Sequence, residues 1–212
     1  MSASARDEGN RLRVVVSGRR ANAQGQPRVA ALPPGRYPWY ARLILAAQRR
    51  KYGQELEPAR LWGRLPRAFL MLTLLYRSLD RAGSPLEPGL RSLVQVRVSQ
   101  INWCSFCVDL NSAAAVARHV GPEKLATLED FERSPLFDAR ERAALAYAEA
   151  MTDSHRGVDD ALFARLRREF DEDELVELTA LVAFQNMSSK FNAALGVPAQ
   201  GFCAAPGAKE DA

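Results

Sequence analysis

The sequence predicts an all-α chain, a bundle of about seven or eight helices, from three observations. Apolar residues recur at helical spacing from about residue 40 onward. Two acidic capping boxes announce long helices, Asp138-Ala-Arg-Glu141 and Asp171-Glu-Asp-Glu174. No segment shows the strict apolar–polar alternation of a half-buried strand.

The elements follow in order. Pro33-Pro34-Gly35 and Pro38 punctuate entry into the folded part. Helices are expected over Tyr40–Lys51 and over Pro66–Arg81, the second carrying Phe69, Leu70, Leu72, Leu74 and Leu75; Gly83-Ser84-Pro85 ends that pair. Pro88–Gln100 and Ser105–His119 come next, joined through Asn102-Trp103-Cys104, with a stop at Gly121-Pro122 and a short helix over Pro122–Leu128. The first capping box opens Glu141–Met151. Asp159 or Asp160 caps a helix running to Phe170, and the second box opens Glu172–Leu195. Gly196 closes that last helix at a position that favours left-handed backbone. There is no repeat of solenoid period.

The 212 residues accommodate one domain with tails. Residues 1–28 are expected to form a disordered basic tail, 29–200 the helical domain and 201–212 a C-terminal tail. Six arginines (Arg6, Arg11, Arg13, Arg19, Arg20 and Arg28) against Asp7 and Glu8 place the whole net charge of +4 in the first segment. The body is therefore nearly neutral and lacks the basic face of a nucleic-acid domain. No apolar run approaches the ~20 residues that span a bilayer, so no membrane partner is expected. MSASARDEGN has no apolar core of a secretory signal, and a cytoplasmic location is the default.

The chemistry concentrates in Cys104-Ser-Phe-Cys107, two of only three cysteines. At a helix start such a pair can close a disulfide with little backbone movement, and backbone N–H groups there favour the thiolate, the reactive form. Other readings stand beside this one. Zinc would need two further ligands, and only Cys203, His119 and His155 are on offer. A thioredoxin-like site wants a βαβ setting. Two buried thiols can also act as small hydrophobes. No metal and no cofactor are expected.

The surroundings of the pair narrow these alternatives. Leu90-Arg-Ser-Leu-Val-Gln-Val-Arg-Val-Ser-Gln-Ile-Asn-Trp-Cys104-Ser-Phe-Cys107-Val-Asp-Leu-Asn111 resembles the motif of the carboxymuconolactone decarboxylase / alkylhydroperoxidase-D (AhpD-like) superfamily. Glu141–Thr152 and Val176–Pro198 are similar to its later helices, so the resemblance covers about residues 29–200. It implies an AhpD-like bundle assembling as a homo-oligomer, trimer or hexamer. It further implies reduction of a hydroperoxide or other small-molecule substrate, with re-reduction by a dithiol or lipoyl-type partner. On that template Cys107 attacks the peroxide and becomes a sulfenic acid, and Cys104 resolves it as a disulfide.

The chain departs from the pattern at two positions. The superfamily's relay has a glutamate twelve residues before the first cysteine and a histidine four after the second; here those positions hold Ser92 and Asn111. Neither takes up a proton near neutral pH. Asp109 is a substitute base acting through water, or alternatively a charge that complements the helix dipole. Arg97 is read as steadying a thiolate or as half of a structural salt bridge, and Glu149 as a core-facing or an exposed carboxylate. Trp103 and Phe106 are expected to screen the sulfurs or line a small apolar pocket. The leading function is a thiol-dependent alkylhydroperoxidase-like oxidoreductase; a redox-sensing or non-enzymatic helical oligomer and a decarboxylase-type lyase are the alternatives.

Overall fold

A computed structural model describes residues 25–203, and they form an all-helical bundle without strands. Nine α-helices are present among them: α1 (Trp39–Tyr52), α2 (Glu57–Trp62), α3 (Pro66–Leu79), α4 (Pro88–Ile101), α5 (Ser105–Ala117), α6 (Pro122–Ala126), α7 (Ala139–Thr152), α8 (Asp160–Leu166) and α9 (Glu172–Ala194). One-turn 3₁₀ segments lie at Pro34–Arg36 and Leu128–Asp130. The helix absent from the sequence reading is α2. Its six residues, with Pro58 in the first turn, are too few to display a helical period.

Both capping boxes form. Asp138 Oδ1 accepts from the Glu141 N–H and Asp171 Oδ1 from that of Glu174, each at 2.8 Å, while the two glutamates reach back to the cap N–H groups. Helix α9 ends in left-handed Gly196 (φ 64°) as expected. Two helices are shorter than their apolar pattern suggests. Helix α5 ends at Ala117 because His119 turns left-handed (φ 64°) ahead of the glycine, and α8 stops at Leu166, four residues before Phe170.

Helix α4 is the axis of the molecule. Nine of its residues are buried, including Arg91, Ser92, Gln95 and Ser99. A helix buried around most of its circumference must be surrounded, and α4 packs against α5, α7 and α9. The main core joins Leu93, Val94, Val96 and Val98 of α4 to Leu145 and Ala148 of α7 and Leu178, Leu181 and Val182 of α9. A second, smaller core gathers Tyr37, Ala41, Leu45, Leu56, Ala59, Leu61, Phe69, Phe106 and Val197 around Cys104 and Cys107. The cysteine pair thus lies between the N-terminal helices α1–α3 and the end of α9.

The expected basic tail lies, through residue 24, outside the described residues, as do residues 204–212. Arg28, the last residue of that expected tail, is held: its N–H donates to Leu195 O at 2.7 Å and its Nη1 to Ala194 O at 2.9 Å. At the other end, the N–H groups of Gln200, Phe202 and Cys203 donate to Asp109. No helix among the described residues is long and apolar enough to cross a membrane.

Candidate functional site

The cysteines sit where α4 hands over to α5. Asn102 caps α4, and its Nδ2 donates to Asn186 Oδ1 and Ser189 Oγ, both at 2.9 Å, which ties the turn to α9. Trp103 adopts a left-handed conformation (φ 56°), rare for a bulky residue, and reverses the chain. Cys104 then caps α5, its Sγ accepting from the Cys107 N–H at 3.2 Å. A thiol takes the place usually held by a serine or aspartate oxygen, which keeps both sulfurs in the first turn. Both thiols are free and buried.

Their surroundings differ. Burial, and secondarily the neighbouring Cys107 sulfur, pushes the Cys104 thiol far above its ordinary range. The expectation that the helix start lowers the thiolate pKa is therefore corrected at this residue, because desolvation outweighs the helix N-terminus. Cys107 accepts a hydrogen bond from Asn192 Nδ2 at 3.2 Å, an amide that also acts on the Cys104 sulfur, and Cys107 alone of the two lines a cavity of about 150 Å³. Trp62, Phe69, Tyr76, Phe106 and Phe184 provide its aromatic walls, and Gln48, Thr73, Asn111, Gln185, Ser188 and Asn192 its other polar groups. The cavity opens to solvent on one side, and no charged residue lines it.

Of the candidate catalytic residues, Cys107 and Asn111 reach this cavity, and Cys104 adjoins Cys107, whose N–H donates to its sulfur. Asn111 Nδ2 donates to Ser99 Oγ at 3.4 Å, an oxygen that also accepts from Gln185 Nε2 at 2.9 Å. Ser92 does not line the cavity. Its Oγ accepts from Arg118 Nη1 at 3.0 Å, and Arg118 forms a two-pronged ion pair with Asp80 at 2.8 and 2.7 Å. The link from Ser92 to the cavity is indirect: Tyr76, a wall residue, donates to Asp80 Oδ2 at 3.2 Å. Burial and the Asp80 carboxylate both push the Tyr76 phenol up, so it stays protonated.

Asp109 is absent from the cavity as well. Its oxygens accept the Gln200, Phe202 and Cys203 N–H groups at 2.9, 3.1 and 2.8 Å. A carboxylate so engaged fastens the C-terminal segment, and its hydrogen bonds go to that segment. Cys203, pinned there, has its thiol raised by burial and then by Asp109. Arg97 pairs with Glu149 through Nε at 2.8 Å and Nη2 at 2.6 Å, which is the structural salt bridge of the two readings. Of the two aromatic neighbours, Phe106 lines the cavity, whereas Trp103 is 56% exposed and does not screen the sulfurs. Among the described residues no group of three or more His, Cys, Asp or Glu side chains is arranged to hold a metal ion.

Sequence reasoning missed Asn192. The available signal was the spacing of Gln185, Ser189 and Asn192 at i, i+4 and i+7 within the polar run Gln-Asn-Met-Ser-Ser-Lys-Phe-Asn. That spacing places three polar groups on one helical face, and all three are 3% exposed or less.

Three comparisons bear on this geometry. The model of the carboxymuconolactone decarboxylase family matches residues 66–150. Over 176 residues the chain is 44% identical to YnjA of Escherichia coli K12, an uncharacterized protein, spanning 82% of this chain and 97% of that one. Among solved structures, an uncharacterized peroxidase-related protein with an alkylhydroperoxidase AhpD core, from Ralstonia eutropha JMP134, superposes with a TM-score of 0.73 at 20% identity over 84% of this chain and 94% of its own. The debrominase Bmp8 superposes with a TM-score of 0.71 at 22% identity over 86% and 95%. At these identities the two structures establish a shared fold.

Proposed function

The chain belongs to the carboxymuconolactone decarboxylase family of the AhpD-like superfamily, and on that premise we propose that it is a thiol-dependent oxidoreductase that reduces an organic hydroperoxide. The observation that carries this reading is the asymmetry of the pair. Cys107 faces a cavity with an N–H donor on its sulfur, while Cys104 is sealed behind it.

The arrangement suits a two-thiol cycle. The Cys107 thiolate attacks the terminal oxygen of ROOH; the O–O bond breaks, the alkoxide takes a proton and leaves as ROH, and Cys107 becomes a sulfenic acid. The Asn192 N–H favours the thiolate that begins this step, because a hydrogen bond to a charged form stabilises it. Cys104 then attacks the sulfenic sulfur. The S–O bond breaks, and the hydroxyl departs as water with the proton of the Cys104 thiol. Burial keeps Cys104 protonated and so supplies that proton. An external dithiol of the lipoyl class returns two electrons and two protons, opening the disulfide and leaving as its own disulfide.

The uncharged walls weigh against a lyase acting on a carboxylate-bearing lactone, since a buried carboxylate without a cationic partner is costly. A purely sensing role does not use the cavity. The test is consumption of cumene hydroperoxide with dihydrolipoamide as reductant. Turnover in the native protein and none in Cys107→Ser supports the reading, and equal turnover in both overturns it.

A further inference from the structure

We infer that Ser99 is a positioning residue for the Cys107 site: its hydroxyl turns the Asn111 and Gln185 side chains so that their carbonyl oxygens face the cavity, where they receive a hydrogen-bond donor held beside the sulfur. The inference rests on the peroxidase reading only for the identity of the reacting molecule. The orientation of the two amides stands on geometry.

The direction of one proton settles that orientation. Ser99 is fully buried in α4, and its Oγ donates to Gln95 O at 2.6 Å, one turn back along the same helix. A hydroxyl carries a single proton, so Ser99 has only lone pairs left to offer. Asn111 Nδ2 of α5 and Gln185 Nε2 of α9 donate to them at 3.4 and 2.9 Å. Turning either amide over would set a carbonyl oxygen against those lone pairs, acceptor against acceptor. One oxygen on the axial helix thus orients side chains from two of the helices around it.

The cavity meets the other ends of those amides. Both residues line it. Neither Asn111 Oδ1 nor Gln185 Oε1 accepts a hydrogen bond from a described residue, and neither is sealed from open space, unlike Asn192 Oδ1 and Gln48 Oε1. The hydroxyl protons of two further wall residues are already placed: Thr73 Oγ1 donates to Phe69 O at 2.8 Å and Tyr76 to Asp80 Oδ2 at 3.2 Å. Asn111 stands one helical turn from Cys107, on the same face of α5. Its oxygen receives a hydrogen bond where the superfamily's histidine would take up a proton. The donor of a hydroperoxide is the O–H of its terminal oxygen, the atom that the Cys107 sulfur attacks, so a molecule held by these acceptors presents that atom.

The test alkylates the reduced full-length protein with two neutral reagents of similar size and follows Cys107 by peptide mass spectrometry. Iodoacetamide carries N–H donors and methyl iodoacetate carries none. Relative to glutathione under the same conditions, the native protein should favour iodoacetamide by about fivefold, the scale of one neutral hydrogen bond. Ser99→Ala should bring that preference down to the glutathione value, and Ser99→Thr, which keeps the hydroxyl, should retain it. A serine that only supports the fold would change thermal stability without moving the ratio. Asn111→Leu, which leaves Ser99 in place and removes one oxygen, should lower the ratio as well. A native ratio equal to that of glutathione, or a native ratio preserved in a folded Ser99→Ala, overturns the inference. If Ser99→Ala does not fold, an unchanged ratio in Asn111→Leu overturns it instead. The expected ratios without turnover of cumene hydroperoxide leave the role of Ser99 standing and remove the peroxidase reading. Turnover with the same KM in native protein and Ser99→Ala does the reverse.

Discussion

Asn192 and the two cysteines form one buried cluster, in which the Asn192 amide donates to the Cys107 sulfur and Cys104 caps the helix through the Cys107 N–H. The Asn192 hydrogen bond to Cys107 is made in a buried setting. A hydrogen bond to a charged group contributes about 1.5–3 kcal/mol, about ten- to a hundredfold in the rate of a step that depends on it. Asn192→Leu should therefore slow alkylation of Cys107 at pH 7 by about that factor, and Asn192→Asp should slow it at least as much by placing a like charge beside the thiolate. Cys104 provides a stability test with a definite sign. Its folded-state pKa is raised, chiefly by burial. Its contribution is thus complete below the unfolded thiol's value of about 8.5 and declines as pH rises beyond it, by up to about 1.4 kcal/mol per pH unit. Urea melts should show the native protein losing its advantage over Cys104→Ala between pH 8.5 and 10, and holding it constant between pH 6 and 8.

At the scale of elements, the turn from α4 to α5 and the segment after α9 together fix the pair. Asn102 bonds α9 across the turn, and Asp109, one turn along α5 from Ser105, gathers three N–H groups of residues 200–203. That segment also lays Phe202 edge-on against Phe106 and Tyr52, with ring centroids 6.3 and 5.8 Å apart. Phe106 is a wall of the cavity, so the C-terminal segment buttresses the site from outside. Asp109→Ala should cost on the order of 3 kcal/mol, the scale of charge-assisted hydrogen bonds. Its signature is local: the Gln200, Phe202 and Cys203 amides should lose protection in hydrogen exchange while those of α4 keep theirs. Uniform loss of protection would mean that Asp109 supports the whole bundle instead. The capping boxes invite a milder comparison. Asp171→Ala removes one side-chain cap from α9, for which about 1 kcal/mol is the usual cost.

For the molecule as a whole, the exposed apolar surface is the feature a single copy does not explain. Trp39 and Leu43 on α1, Leu65 just before α3, and Met71, Leu74 and Leu75 on α3 are each 46% exposed or more, and α1 and α3 pack against each other. Exposed apolar residues grouped on two packed helices are a feature of association sites, and the fold is compatible with a homo-oligomer. Sedimentation should find an assembly of several copies, and Met71→Lys combined with Leu75→Glu should reduce it to smaller species. A native protein that sediments as a monomer at micromolar concentration would remove the expectation.

The helical spacing, the two Asp…Glu capping boxes, left-handed Gly196 and the Cys-x-x-Cys at a helix start are all local patterns, set by residues within a turn or two of one another. They were legible in the chain for that reason. Helix α2 was not, because six residues carry no period; α5 ends early where His119 turns left-handed, and α8 where tighter turn hydrogen bonds at Arg168 and Glu169 replace the helical ladder. The chemistry of the site divides in the same way. Which residues carry sulfur was evident from the sequence. Which sulfur meets a cavity, that Asn192 from 85 positions away donates to it, and that Asp109 is spent on residues 200–203 depend on contacts between segments far apart in sequence. Burial and hydrogen-bond partnership are properties of the packed chain, and no residue type carries them in advance.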